Sequence, residues 1–142
     1  MAMKPGAALL ASRSAADITT SFEVIFDRAM RAQNEIEYIV IASQQGLVIA
    51  SKCRVRGKEN RFAAMSPVLD DAGETMFNEL NLAPLAEVLL LGPEGTAYQV
   101  RLKSAPAFLL IAAKGQANVG LLRMIASRIE TEASQLLQTF VQ

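Results

Sequence analysis

Four groups of side chains in this sequence have types and spacings that could do chemistry. Asp70, Asp71 and Glu74 form an acidic cluster in which Asp70 and Glu74, four residues apart, share one face of a helix. Paired carboxylates can hold Mg²⁺ or divide the work of acid and base. No second set of ligands and no nucleophile accompanies them, so a solvated or partner-facing surface is expected. Cys53 stands between Lys52 and Arg54, whose charges would favour a thiolate and open a route to redox chemistry. A part-buried, inert thiol at a strand end is the plainer expectation. Gly115 to Gly120 has the glycine spacing of a phosphate loop, yet Leu121 and Leu122 stand where such a loop needs Lys and then Ser or Thr. A turn leading into a helix cap is expected there instead. Arg54, Arg56, Lys58 and Arg61 make a small basic patch, interrupted by Glu59 and without an interleaved aromatic. It reads as a mobile solvated loop, with an acidic partner as the alternative.

The chain has no histidine. That removes the commonest general base, the usual metal ligand and the base of Ser/His and Cys/His pairs. With one cysteine and no histidine, a zinc site has no ligand set. The expectation is a binding protein with no catalytic residue, no metal and no cofactor. Lys+Arg and Asp+Glu both count 14 in 142 residues, so the formal net charge is zero. Neutrality argues against nucleic acid, whose binding rests on phosphate neutralisation. It also leaves little repulsion between copies, and with 51% hydrophobic residues this fits a chain that hides surface in a dimer. A lone cysteine points to a reducing, cytoplasmic setting. No apolar run reaches bilayer length, so no membrane insertion is expected. Residues 1–16 read as a disordered tail and 17–142 as one domain.

The elements that would position these groups follow from the apolar pattern. Asp17 is placed to cap a first helix carrying Ile18, Phe22, Ile25, Phe26 and Ala29, ending near Asn34. Tyr38–Ala42 and Leu47–Ala50 are β-rich runs joined by Gln44-Gln45-Gly46, with Gly46 free to take a positive φ. A second helix spans roughly Glu59 to Leu80, with Phe62, Met65, Leu69, Ala72, Met76 and Leu80 in one stripe. Val68, Gly73 and Phe77 widen its apolar face. Pro67 should kink or delay it, unless Ser66 caps a shorter helix with Pro67 at its first position. Asn81 and Pro84 end it. Glu87–Leu91, Thr96–Lys103 and Ala107–Ala113 then form an antiparallel meander, broken by Gly92-Pro93-Glu94-Gly95 and Ser104-Ala105-Pro106. A last helix runs from about Asn118, a preferred cap type, to Phe140. The expected order is α-β-β-α-β-β-β-α.

With that order, two motifs resemble those of roadblock domains. One is the run Ile39 to Ser51, an apolar strand, a polar turn ending in Gly46 and the strand Leu47-Val48-Ile49-Ala50-Ser51. The other is Asn118-Val119-Gly120-Leu121-Leu122-Arg123 at the start of the last helix. The junction from Leu80-Asn81-Leu82 to Glu87-Val88-Leu89 is similar too. The resemblance, closest to the bacterial MglB-type branch, implies a profilin-like α/β (α+β) sandwich with five antiparallel strands between helices. It implies homodimers, or heterodimers with another roadblock protein, in which strand Glu87–Leu91 pairs with its twin and the second helix lies beside its own twin. On that basis the dimer interface is expected at Met65, Leu69, Met76, Phe77, Glu87, Val88, Leu89 and Leu91. The implied partner is a small Ras-like GTPase, whose GTP hydrolysis the dimer would modulate without donating catalytic residues. Arg61, Asp70, Asp71, Glu74 and Asn78 are the residues expected to face it. The alternatives are a dimeric scaffold or adaptor for a non-GTPase partner, and a small-molecule sensing module.

Overall fold

The computed structural model describes residues 20–141, with side chains placed to residue 136. The expected tail and Asp17 and Ile18 of the first helix lie outside the described residues, as does the side chain of Leu137. Helix α1 covers residues 20–32, strand β1 Ile36–Ser43, β2 Val48–Cys53, helix α2 Glu59–Glu79, β3 Glu87–Leu91, β4 Gly95–Arg101, β5 Ala107–Lys114 and helix α3 Val119–Val141. The order is α-β-β-α-β-β-β-α, and every strand pairing is antiparallel in one five-stranded sheet ordered β2-β1-β5-β4-β3. The expected fold class is therefore the observed one. β2 and β3 are the two edges.

Both faces of the sheet carry helices, which explains the nearly unbroken apolar runs of the central strands β1 and β5. The faces are packed unequally. On one, α1 and α3 bury Phe22, Phe26, Leu122 and Ile129 against Ile39, Leu109 and Ile111. On the other, α2 covers a small cluster of Tyr38, Val40, Ala42, Ala63 and Leu110. Within α2 only Ala63 and Ser66 are fully buried.

Local chemistry sets the element ends. Gly46 takes φ +82° in the β1–β2 turn, and a Cβ there would stand 3.1 Å from Ala64 Cα, so the hairpin rests directly on α2. α1 stops at residue 32, two residues short of expectation, because residues 34 and 35 form the turn into β1. α2 ends where expected: Asn81 adopts φ 58°, its N–H bonds Asn78 O and the Leu82 N–H bonds Phe77 O, which satisfies the last carbonyls. Asn118 caps α3, its Oδ1 accepting from the Leu121 N–H at 3.2 Å.

Pro67 neither delays α2 nor starts it. The helix begins at Glu59 and carries Pro67 inside. Ser66 is not a cap. It is buried, and its hydroxyl donates to Phe62 O one turn back at 3.1 Å. The proline withholds one N–H from the ladder, while the Ser66 hydroxyl, donating to Phe62 O, and the Gln99 side chain, which donates to Ser66 O at 2.8 Å, add bonds in the turn just before it.

Candidate functional site

Most groups with chemical potential turn out to hold the fold together. Arg101, at the end of β4, grips Asp70 through both carboxylate oxygens at 2.7 and 2.9 Å and reaches Glu74 at 2.9 Å. Glu74 also accepts from the Leu85 N–H at 3.0 Å. The acidic pair is thus a clamp joining α2 to β4 and to the loop before β3. Of the expected cluster, Asp71 alone is exposed and outside this clamp.

The basic patch dissolves in the same way. Lys52 pairs with Asp27 of α1 at 2.9 Å. Arg54, although exposed and in the loop after β2, is tied down: it donates to Met30 O at 2.6 Å and Ile36 O at 2.7 Å, linking the end of α1 to the start of β1. Arg56, Lys58 and Arg61 remain exposed.

Cys53 donates to the Glu59 carboxylate at 2.6 Å. Burial and that neighbouring carboxylate push its thiol up to about 11, against the pull of Arg56 and Lys52. This opposes the thiolate, the reactive form that its basic neighbours would favour, and agrees with the inert thiol expected. Glu59 also accepts from the Gly57 N–H, and these hydrogen bonds hold its carboxyl below the ordinary range.

At the start of β3, Glu87 binds Arg123 of α3 and accepts from the Tyr98 hydroxyl at 2.5 Å. The Arg123 and Tyr98 hydrogen bonds depress its carboxyl, and burial together with Glu87 raises the Tyr98 phenol. Glu87, expected at a dimer interface, therefore already has two partners within the chain.

What remains without cover is a surface. β3 is an open sheet edge, a row of backbone groups available to another strand. Along its side chains the faces alternate. Leu89 packs on the α1–α3 core, whereas Leu90 points to the α2 face and is 50% exposed. Beside it, α2 leans over β1 and β2 and leaves a groove of about 380 Å³ over β4 and β5. Its walls are Met65, Val68, Leu69 and Ala72 on the helix and Leu90 on β3, and its floor includes Ala97 and Gln99. The apolar stripe of α2 faces sideways rather than down into the core: Met65 is 52%, Val68 68% and Met76 62% exposed, and Met65 and Val68 line the groove. Gly73 is what lets the helix sit so low beyond the groove, since a Cβ there would meet Leu85 Cδ2 at 2.8 Å. Contiguous apolar exposure of this kind marks an interaction site.

The structure thus brings Met65, Leu69, Val88 and Met76 to one flank and edge, while half-buried Phe77 lies on the underside of α2 and Leu91 projects from the end of β3. It separates Leu89 from them by placing it on the opposite sheet face. Sequence reasoning missed Leu90, whose signal was the alternation along β3. It also missed Arg101, for which no local signal exists, because its carboxylate partners lie 31 and 27 residues away. Among the described residues no helix is long and apolar enough to cross a membrane.

No family model matches the sequence, and no curated protein matches it. Solved structures do match in fold. MglB of Myxococcus xanthus superposes with a TM-score of 0.73 at 14% identity, covering 84% of this chain and 97% of that one. A structure described as MglB with tetrameric arrangement gives 0.76 at 14% identity over 87% of this chain and 92% of its own. A roadblock/LC7 domain from Streptomyces avermitilis gives 0.54 at 16% identity over 74% and 82%.

Proposed function

We propose that this chain, whose fold is the roadblock fold in the form that MglB carries, is a non-enzymatic cytoplasmic regulator of a small Ras-like GTPase and works as a homodimer. The observation that carries this reading is the likeness to MglB over most of both chains, at TM-scores of 0.73 and 0.76. The site supports it by what it offers. β3 presents an open edge, the flank of α2 presents an apolar stripe, and the two are adjacent, so one symmetric contact would cover both.

The side chains suit positioning rather than chemistry. Asp70 and Glu74 are spent on Arg101, which fixes α2 against the sheet and leaves Asp71 and Asn78 exposed on its outer side. A rigid helix face of this kind can hold a GTPase switch segment in one conformation, and catalysis of phosphoryl transfer is largely a matter of positioning. The GTPase would supply its own catalytic groups.

The test is a pull-down from the source lysate with this protein as bait, run in parallel with GDP and a non-hydrolysable GTP analogue. Retention of a Ras-like GTPase mainly with the analogue, followed by an altered single-turnover hydrolysis rate of that purified GTPase, is the expected result. Equal capture in both lanes, or hydrolysis unchanged at saturating bait, overturns GTPase regulation.

A further inference from the structure

Four side chains form one row across the sheet on the face that α2 partly covers. Tyr38 of β1 pairs with Ala112 of β5, Ala112 with Ala97 of β4, and Ala97 with Leu90 of β3. Residues directly opposite one another share a face, and Tyr38, Ala97 and Ala112 all belong to the cluster beneath α2. Two alanines between a tyrosine and a leucine leave the row low in the middle. The groove of about 380 Å³ beside α2 therefore does not end at β5. A second hollow of about 320 Å³ continues it over β1, and the two share Phe62 and Ala112. The row crosses three strand spacings, so the trough runs about 14 Å from Leu90 to Tyr38.

The two ends of the trough differ in chemistry. Met65, Val68 and Leu69 wall the Leu90 end, and the polar residues of its floor, Ser66 and Gln99, are buried. The Tyr38 end holds the available polar groups. Tyr38 is only 6% exposed, and its ring stands edge-on to Phe62 with centroids 4.8 Å apart. Its hydroxyl makes no hydrogen bond among the described residues. Lys58 lines the same hollow and makes no ion pair among the described residues. The carboxylates nearby are already matched. Glu37, on the rim, pairs with Lys114 at 2.8 Å, and Glu59 accepts from the Cys53 thiol and the Gly57 N–H. One hydroxyl donor and one ammonium are left for an anion at this end.

We propose that this trough binds a free straight-chain fatty carboxylate of about ten to twelve carbons, the length that matches three strand spacings. Its tail lies over Ala112 and Ala97 toward Leu90, and its carboxylate meets the Tyr38 hydroxyl and the Lys58 ammonium. The trough is one row of side chains wide, so it admits one chain. Burial of the tail supplies the affinity, and the few polar groups at one end set the orientation. A lysine ammonium is a point charge on a flexible stem, so it can follow a carboxylate without a fixed fork geometry. The proposal goes beyond GTPase regulation and does not depend on it.

The experiment is isothermal titration calorimetry of the full chain with dodecanoate below its micelle concentration, with octanoate and dodecyltrimethylammonium as comparators. Dodecanoate should bind one molecule per chain, and each methylene removed should weaken binding by up to about fourfold. The cation should bind at least about tenfold more weakly than the anion of equal length. Ala97→Leu fills the trough at its middle and should weaken dodecanoate by about tenfold or more. Lys58→Glu should weaken it by about tenfold, and Tyr38→Phe by about threefold. Ala97 is half-buried, Lys58 is exposed and the Tyr38 hydroxyl has no partner to lose, so melting temperatures without ligand should stay near wild type. No saturable uptake by the wild type, or uptake of many molecules per chain, overturns the proposal. So does equal affinity for anion and cation, or unchanged dodecanoate affinity in either Ala97→Leu or Lys58→Glu. Sedimentation velocity on the same samples identifies the rival occupant: a wild type that refuses dodecanoate, beside an Ala97→Leu variant altered only in self-association, gives the trough to a second copy. No GTPase is present in the assay, so the result leaves the proposed function to its own test.

Discussion

Leu89 and Leu90 are neighbours of the same type on the same edge strand, and the structure gives them opposite jobs. Leu89 packs on the core between the sheet and the helices α1 and α3, while Leu90 is half exposed over the groove beside α2. Truncating a fully buried leucine to alanine costs about 2–5 kcal/mol, and Leu89 is partly buried, so Leu89→Ala should cost about 1–2.5 kcal/mol of monomer stability. Leu90→Ala removes side-chain area that is half in water already, and should cost under about 1 kcal/mol. For a domain of this size about 1 kcal/mol corresponds to roughly 2–5 °C in melting temperature. Thermal unfolding in dilute solution should therefore show Leu89→Ala lowered by about 2–12 °C and Leu90→Ala by less than about 5 °C. Self-association should rank the other way, with Leu90→Ala weakening it and Leu89→Ala leaving it near wild type below the melting range. Equal melting temperatures for the two variants, or weaker self-association in Leu89→Ala alone, would show that the strand faces are assigned the wrong way round.

Two further predictions concern titrating groups. With its thiol at about 11 in the fold against 9.0 for an unperturbed cysteine, Cys53 at pH 8 should be alkylated by iodoacetamide about 100-fold more slowly in the native protein than in urea, and Glu59→Gln should recover part of that rate; a native rate within threefold of the unfolded one refutes the assignment. Glu87 is depressed by Arg123 and Tyr98 from an ordinary 4.5, so its contribution is complete above that value and is lost as pH falls through its lower folded value. Urea titrations from pH 6 downward should show Glu87→Gln less stable than wild type above pH 4.5, with the gap closing in stronger acid; a constant gap would mean that the carboxylate's charge contributes nothing.

How much of this was legible in the sequence depends on how local the cause is. The element order, the Asn81 and Asn118 ends and the Gly46 turn follow from short-range rules, and the strand and helix periods came through plainly. Pro67 left two starts for α2 open in the sequence, Glu59 or Ser66; the packing of Ala63 and Ser66 beneath the helix, supported by hydrogen bonds to Phe62 and from Gln99, goes with the earlier one. Arg54 looked like a free loop side chain because its acceptors are backbone carbonyls 24 and 18 residues away, which have no sequence signature. The role of Asp70 and Glu74 was hidden for the same reason. The apolar stripe of α2 was visible, but a period of 3.6 reports a face without saying whether it points at its own sheet or away from it.

The unequal packing of the two sheet faces bears on the order in which the molecule opens. α1 and α3 share a deep core with the sheet, whereas α2 rests on a few buried side chains, the Arg101 clamp and the Gly46 contact. Elements with few buried contacts exchange their amide protons through local opening, at a free energy well below that of global unfolding. α2 would then open at a lower free energy than the core that α1 and α3 share with the sheet. Any molecule that covers its flank contributes its binding free energy to that one opening step. The exchange rate of the α2 amides is thus a built-in reporter of occupancy, readable without knowing what the occupant is.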